Sequence, residues 1–96
     1  MITKELTEIL TICCEEFECS ILEVMSKSRA EQLVFCRKAF GMIAKTEYDV
    51  KNSIIAQMIN RSHQSVARYT QTLPINKYFK ITFLRIRERI KNEIRP

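Results

Sequence analysis

The stretch Ile54–Tyr69 reads IIAQMINRSHQSVARY, and the way it divides decides the fold. Its first half places Ile54, Ile55, Met58 and Ile59 at the spacing of one helix face. Asn60 tolerates the left-handed backbone that often ends a helix. Ser62 is a good N-cap for a second helix, in which Val66, Tyr69 or Thr70, and Leu73 face inward until Pro74 stops it. Helix, three-residue turn, helix is a helix-turn-helix. In that motif the second helix, here about residues 62–72, enters the major groove of DNA and its leading residues touch base edges. Those residues are Ser62, His63, Gln64, Ser65 and, one turn on, Arg68. All five hydrogen-bond well to bases or phosphates, and none is needed to fill a core.

His63 is the only histidine, so the same stretch invites a catalytic reading. That reading fails on spacing. No cysteine or acid stands near His63, and Ser62 and Ser65 are its helix neighbours rather than facing partners. A nucleophile needs its base within hydrogen-bond reach and a third group to orient it. The single glycine, Gly41, leaves no glycine-rich phosphate loop. The sequence therefore points away from an enzyme and implies no cofactor.

Outward from this core, the other segments are also helical. With one glycine and two prolines in 96 residues, the chain has few means of making tight hairpins. Leu6, Ile9, Leu10, Cys13 and Phe17 recur at helical intervals, with Thr3 as N-cap and Glu5 near the positive helix end. Ser20 caps a short helix carrying Ile21, Leu22 and Met25. Ser28 and Glu31 form an S-x-x-E pattern that predicts a capping box. The helix it starts buries Leu33, Cys36, Phe40, Ile43 and Ala44 and runs to about Thr46. Arg37, Lys38 and Lys45 fall on one strip of that helix. The strip suits either a solvated face or phosphate contacts. Residues 75–94 place Phe79, Phe83, Ile86, Ile90 and Ile94 on one face and Lys77, Lys80, Arg85, Arg87, Arg89 and Lys91 on the others. Such a basic amphipathic helix can pack back, dimerise, or lie on a membrane or nucleic acid; packing back is the usual outcome. The expectation is an all-α helix-turn-helix domain of five to six helices, residues 1–73, with residues 74–96 as a basic C-terminal helix packed on it.

Charge sharpens the functional reading. Residues 1–26 hold one lysine and six glutamates, a net −5, whereas the whole chain carries +5, which leaves +10 on residues 27–96. A basic body of this kind faces a polyanion, with nucleic acid ahead of an anionic membrane. No apolar run approaches membrane-spanning length. Lys4, Glu5 and Glu8 interrupt any early apolar run, so the sequence predicts no secretory leader and a cytoplasmic setting with reduced thiols. Cys13, Cys14, Cys19 and Cys36 lack zinc-knuckle spacing and are expected to be buried and inert, with no metal.

Two stretches, VMSKSRAEQLVFCRKAFGMIAK at 24–45 and IIAQMINRSHQSV at 54–66, together resemble the C-terminal DNA-binding domain of the bacterial replication initiator DnaA. That family shows a hydrophobic pair followed by Ser-Lys and a basic loop. A long helix follows, with an early arginine and Ala-Lys at its end, and then a segment of the form I-x-x-x-F-x-x-R-D-H-T-T-V. The resemblance spans about residues 5–72 and implies a stand-alone domain without the initiator's ATPase segment. It further implies that Arg29 is the loop arginine that reaches the minor groove and Arg37 a backbone contact. Lys38 falls on another polar contact and Lys45 on the lysine closing the long helix. Arg61, His63 and Ser65 fall on the signature's Arg, His and second Thr, and Val66 on its buried Val. Three positions depart: Ser62 replaces the signature's Asp, Gln64 its first Thr, and Glu31 a second loop arginine. Aspartate accepts from cytosine and threonine contacts a thymine methyl, whereas Ser62 and Gln64 read differently, so DNA binding carries over better than the sequence of the DNA.

The resulting expectation is double-stranded DNA binding, in replication or transcription control. The site residues are Arg29, Arg37, Lys38, Lys45, Arg61, Ser62, His63, Gln64, Ser65 and Arg68. The rival is a protein-interaction module that keeps the helix-turn-helix as a scaffold and meets a protein partner through its acidic first or basic last helix.

Overall fold

Helix is the only regular structure among the described residues, 3–71 and 74–94 of a computed structural model. Six helices follow one another: α1 Lys4–Glu16, α2 Ile21–Met25, α3 Glu31–Tyr48, α4 Asn52–Ile59, α5 His63–Tyr69 and α6 Lys77–Glu93. The expected all-α class is the observed one. None of these helices is long and apolar enough to cross a membrane.

The helix ends are set by local chemistry. The Thr3 side chain accepts from the Leu6 amide at 3.1 Å, and Asn76 caps α6 by accepting from Phe79 at 2.9 Å. Ser20 and Glu23 form a reciprocal capping box at α2. The box expected at Ser28 and Glu31 does not form. The N-cap of α3 is Ala30, without a side-chain bond, and the Ser28 hydroxyl accepts from the Ala30 amide instead. An S-x-x-E spacing permits a box, but a turn closed two residues on competes for the same serine oxygen. At the other end, α3 runs past Thr46 to Tyr48, where Asp49 takes the left-handed conformation at φ 51°.

α3 is the central helix, touching α1, α2, α4, α5 and α6. Its burial is correspondingly wider than one stripe. Leu33, Cys36, Phe40, Ile43 and Ala44 are buried as expected, and so are Phe35, Arg37 and Ala39. On α2 the inward residue is Val24, whereas Leu22 is 81% exposed. The five-residue helix is too short for periodicity to orient it.

α6 packs back along α1 and α3. Phe79 stacks on Phe17 at 6.0 Å between centroids and meets Phe35 edge-on at 5.3 Å. Phe83, Ile86 and Ile90 continue the buried stripe. Its basic faces are used in cis. Arg89 bonds Glu15 at 2.9 Å, Glu16 at 3.1 Å and Glu93 at 2.8 Å, while Arg85 pairs with Glu16 and Arg87 with Glu47. Of the acidic head and basic tail, expected from sequence as separate partner-binding elements, Glu15 and Glu16 pair with Arg85 and Arg89.

Candidate nucleic-acid interface

The α4–α5 unit forms as its residues dictate. Asn60 ends α4 in the left-handed region at φ 55°. Ser62 caps α5 by accepting from the Ser65 amide at 3.1 Å. Val66 is wholly buried and Tyr69 packs partly against the core, which leaves Ser62, His63, Gln64 and Arg68 exposed. α5 is shorter than expected. It ends at Tyr69, where the Thr70 hydroxyl donates back to the Ala67 carbonyl and the Thr70 amide to Val66 and Arg68. The expected inward Leu73 lies outside the described residues.

A second element is brought against this unit. The loop after α2 carries Lys27 and Arg29, and its backbone carbonyls are gripped by side chains from α3 and from the turn before α5. Arg37 Nε donates to Val24 O at 2.8 Å and Nη1 to Ser28 O at 2.8 Å. Its Nη2 donates to Ser26 O at 3.1 Å and Glu23 O at 3.4 Å. Arg61 also donates to Ser26 O, and Asn60 Nδ2 to Met25 O at 3.0 Å. The physical reason is the end of a helix. α2 leaves its last carbonyls without intrahelical donors, and cations are favoured at that negative end.

This corrects the role expected for Arg37. It is 1% exposed, and all three of its nitrogens are engaged by backbone oxygens, so it serves the loop rather than standing as a free phosphate contact. Burial, and after it the nearby Arg61 charge, pulls its pKa below the ordinary arginine value; the carbonyl dipoles offset that cost. The strip of Arg37, Lys38 and Lys45 is thus divided: Arg37 buried, Lys38 half-buried, Lys45 exposed further along α3.

Loop, α3 and α5 together enclose an open groove of about 860 Å³. It brings together Arg29, Arg37, Lys38, Arg61, Ser62, Ser65 and Arg68 from the expected set, and among the described residues no carboxylate lines it. Arg68 reaches the Ser65 hydroxyl at 3.4 Å. His63 and Gln64 sit at the leading edge of α5 outside the groove lining, and Lys45 lies away from it. Sequence reasoning missed Lys27, which lines the groove beside Arg29. Its signal was present in Ser26-Lys27-Ser28-Arg29, a basic loop ahead of a helix. It missed Asn60 and Tyr69 there as well, because both were assigned to helix ending and core.

The cysteines are free. Cys13 is buried, which pushes its thiol pKa up and leaves it inert, as expected. Cys14, Cys19 and Cys36 converge, and Cys19 is half-buried rather than buried as expected.

No protein-family model matches the chain, and comparison with curated proteins and with solved structures gives no significant match.

Proposed function

We propose that the chain binds double-stranded DNA, with the first turn of α5 in the major groove and Arg29 directed to the adjacent minor groove. One observation carries this reading: cations from loop, α3 and α5 crowd a groove that no carboxylate lines among the described residues, while the three arginines of α6, Arg85, Arg87 and Arg89, are paired in cis. A polyanion is the partner that such an uncompensated patch favours. Lys27, Arg29, Lys38 and Arg68 supply phosphate and minor-groove contacts, and His63 and Gln64 reach base edges. The resemblance to the DnaA C-terminal domain supports the same docking. Ser62 and Gln64 then make the target sequence differ from that family's.

The test is binding to duplex DNA across a salt series, together with selection from a random oligonucleotide pool. Neutralising about five phosphates gives a slope of log affinity on log salt near −4 to −5, and a defined site emerges from the pool. A slope near zero, or no enriched site, overturns the reading. The second reading, a protein-interaction module, is favoured by one feature. Tyr78, Ile81 and Leu84 are 50–63% exposed on the outer face of α6. Weak, salt-insensitive DNA binding would favour it.

A further inference from the structure

Three sulfur atoms from three parts of the chain meet beside the groove's scaffold. Cys14 belongs to the last turn of α1, Cys19 to the link before α2, and Cys36 to α3. Their sulfurs all lie within 4.8 Å of one another, with Cys14 Sγ and Cys36 Sγ 3.9 Å apart. The backbone is arranged to hold them there. α1 ends with Glu18 in the left-handed region at φ 57°, and the Cys19 amide donates back to the Cys14 carbonyl at 2.9 Å. That helix-ending bond folds Cys19 over Cys14. The Gln32 side chain then donates to the Phe17 and Glu18 carbonyls, which ties this turn to α3 one turn before Cys36. Cys14 and Cys36 are buried, and Cys19 is half-buried, so the cluster has one wall towards solvent.

A disulfide needs sulfurs about 2.05 Å apart, roughly half the Cys14–Cys36 separation. Three thiolates about 2.3 Å from a shared centre form a triangle with edges of about 4.0 Å. We propose that Cys14, Cys19 and Cys36 bind one monovalent copper ion in a three-sulfur site. Soft thiolates select monovalent copper or zinc. Structural zinc sites take four ligands. Among the described residues the ligand group stops at these three sulfurs. Binding exchanges thiol protons for metal: from the fully protonated chain three S–H bonds break, three copper–sulfur bonds form, and three protons leave to solvent. Copper enters and stays monovalent, so no electron is transferred. The resulting anionic cluster lies beside the first turns of α3, where Arg37 follows Cys36. The bound ion would bridge α1, the α1–α2 link and α3.

The proposal is tested on the full reduced chain without oxygen, titrated with monovalent copper against a competing chelator, with X-ray absorption on the loaded protein. The expected result is one copper per chain, three sulfur neighbours at about 2.3 Å, and a raised thermal midpoint. Cys19→Ser, at a half-exposed position that tolerates the change, should lower affinity by at least about 100-fold, the upper end for losing even an outer-shell partner. Cys13→Ser, whose sulfur lies outside the triangle, should keep one copper per chain. Two sulfur neighbours, or affinity unchanged in Cys19→Ser, would overturn the proposal. So would zinc held by four protein ligands in preference to copper.

Discussion

Arg37 stands one residue after Cys36 on α3 and ends among four carbonyls of the α2–α3 segment. Its planar fork suits that array, whereas lysine would offer one point charge. Arg37→Ala removes the side-chain donor from Val24 O and Ser28 O, while Ser26 O keeps Arg61 and Glu23 O keeps Ser26; it should cost about 2–3 kcal/mol, seen as a lower thermal unfolding midpoint. An unchanged midpoint with uniformly weaker DNA binding would return Arg37 to the role of phosphate contact. Arg29 and His63 are exposed, and the opposite pattern is expected of them. Arg29→Ala and His63→Ala should each weaken duplex binding while the midpoint stays within about 0.5 kcal/mol of the parent, the usual range for surface changes. A large drop in stability would make either residue structural. At Cys19, hydrogen bonding from Cys36 outweighs burial and lowers the thiol pKa to about 7. In the metal-free chain, alkylation of Cys19 should therefore rise as pH passes about 7. Cys13, whose pKa burial raises, should stay unreactive in the folded state. Equal rates at the two sites, followed by mass spectrometry of digests, would contradict this.

Among the elements, α3 shows how far local pattern reaches. Its apolar spacing located the helix and five inward residues, but not that neighbours on several sides also bury Phe35 and Ala39. Gly41 belongs to this helix, and a Cβ there would meet Thr70 Cγ2 at 3.6 Å, Ile55 Cγ2 at 3.9 Å and Tyr69 Cβ at 4.0 Å. These are ordinary contacts, so the glycine is not required by close approach. Gly41→Ala should stabilise the fold by about 0.5–1 kcal/mol through lower unfolded-state entropy and better helix propensity. A loss of stability in denaturant titration would show that α5 cannot accommodate the methyl group. The caps at Thr3, Ser20 and Ser62 were legible because an N-cap is decided within four residues. The false box at Ser28 shows the limit of that logic, since the same oxygen had a nearer donor.

At the scale of the whole molecule, α6 completes the core rather than decorating it. Burying Phe79, Phe83, Ile86 and Ile90 contributes about 1.5–3 kcal/mol each. Their sum is comparable to the net stability of a small domain, about 5–15 kcal/mol. A chain ending at Gln71 should therefore lose cooperative thermal unfolding, with Phe17 and Phe35 uncovered. A sharp transition in that shortened chain would show that the first five helices fold alone. Raising salt weakens the Arg89 network only in part, because Arg89 and Glu16 are partly shielded from solvent.

The helical class, the caps at Thr3, Ser20 and Ser62, the α4–turn–α5 unit and most inward faces could be read from residue order alone. These follow from periodicity and capping, which act over a few neighbouring residues. Packing between distant elements settled three further things. It buried Arg37 among carbonyls, set Arg85 and Arg89 of the basic tail against Glu15 and Glu16 of the acidic head, and gathered Cys14, Cys19 and Cys36. Each depends on which elements lie side by side. A carbonyl array, an opposing glutamate or a third sulfur arrives from a distant part of the chain, and no local spacing records its approach.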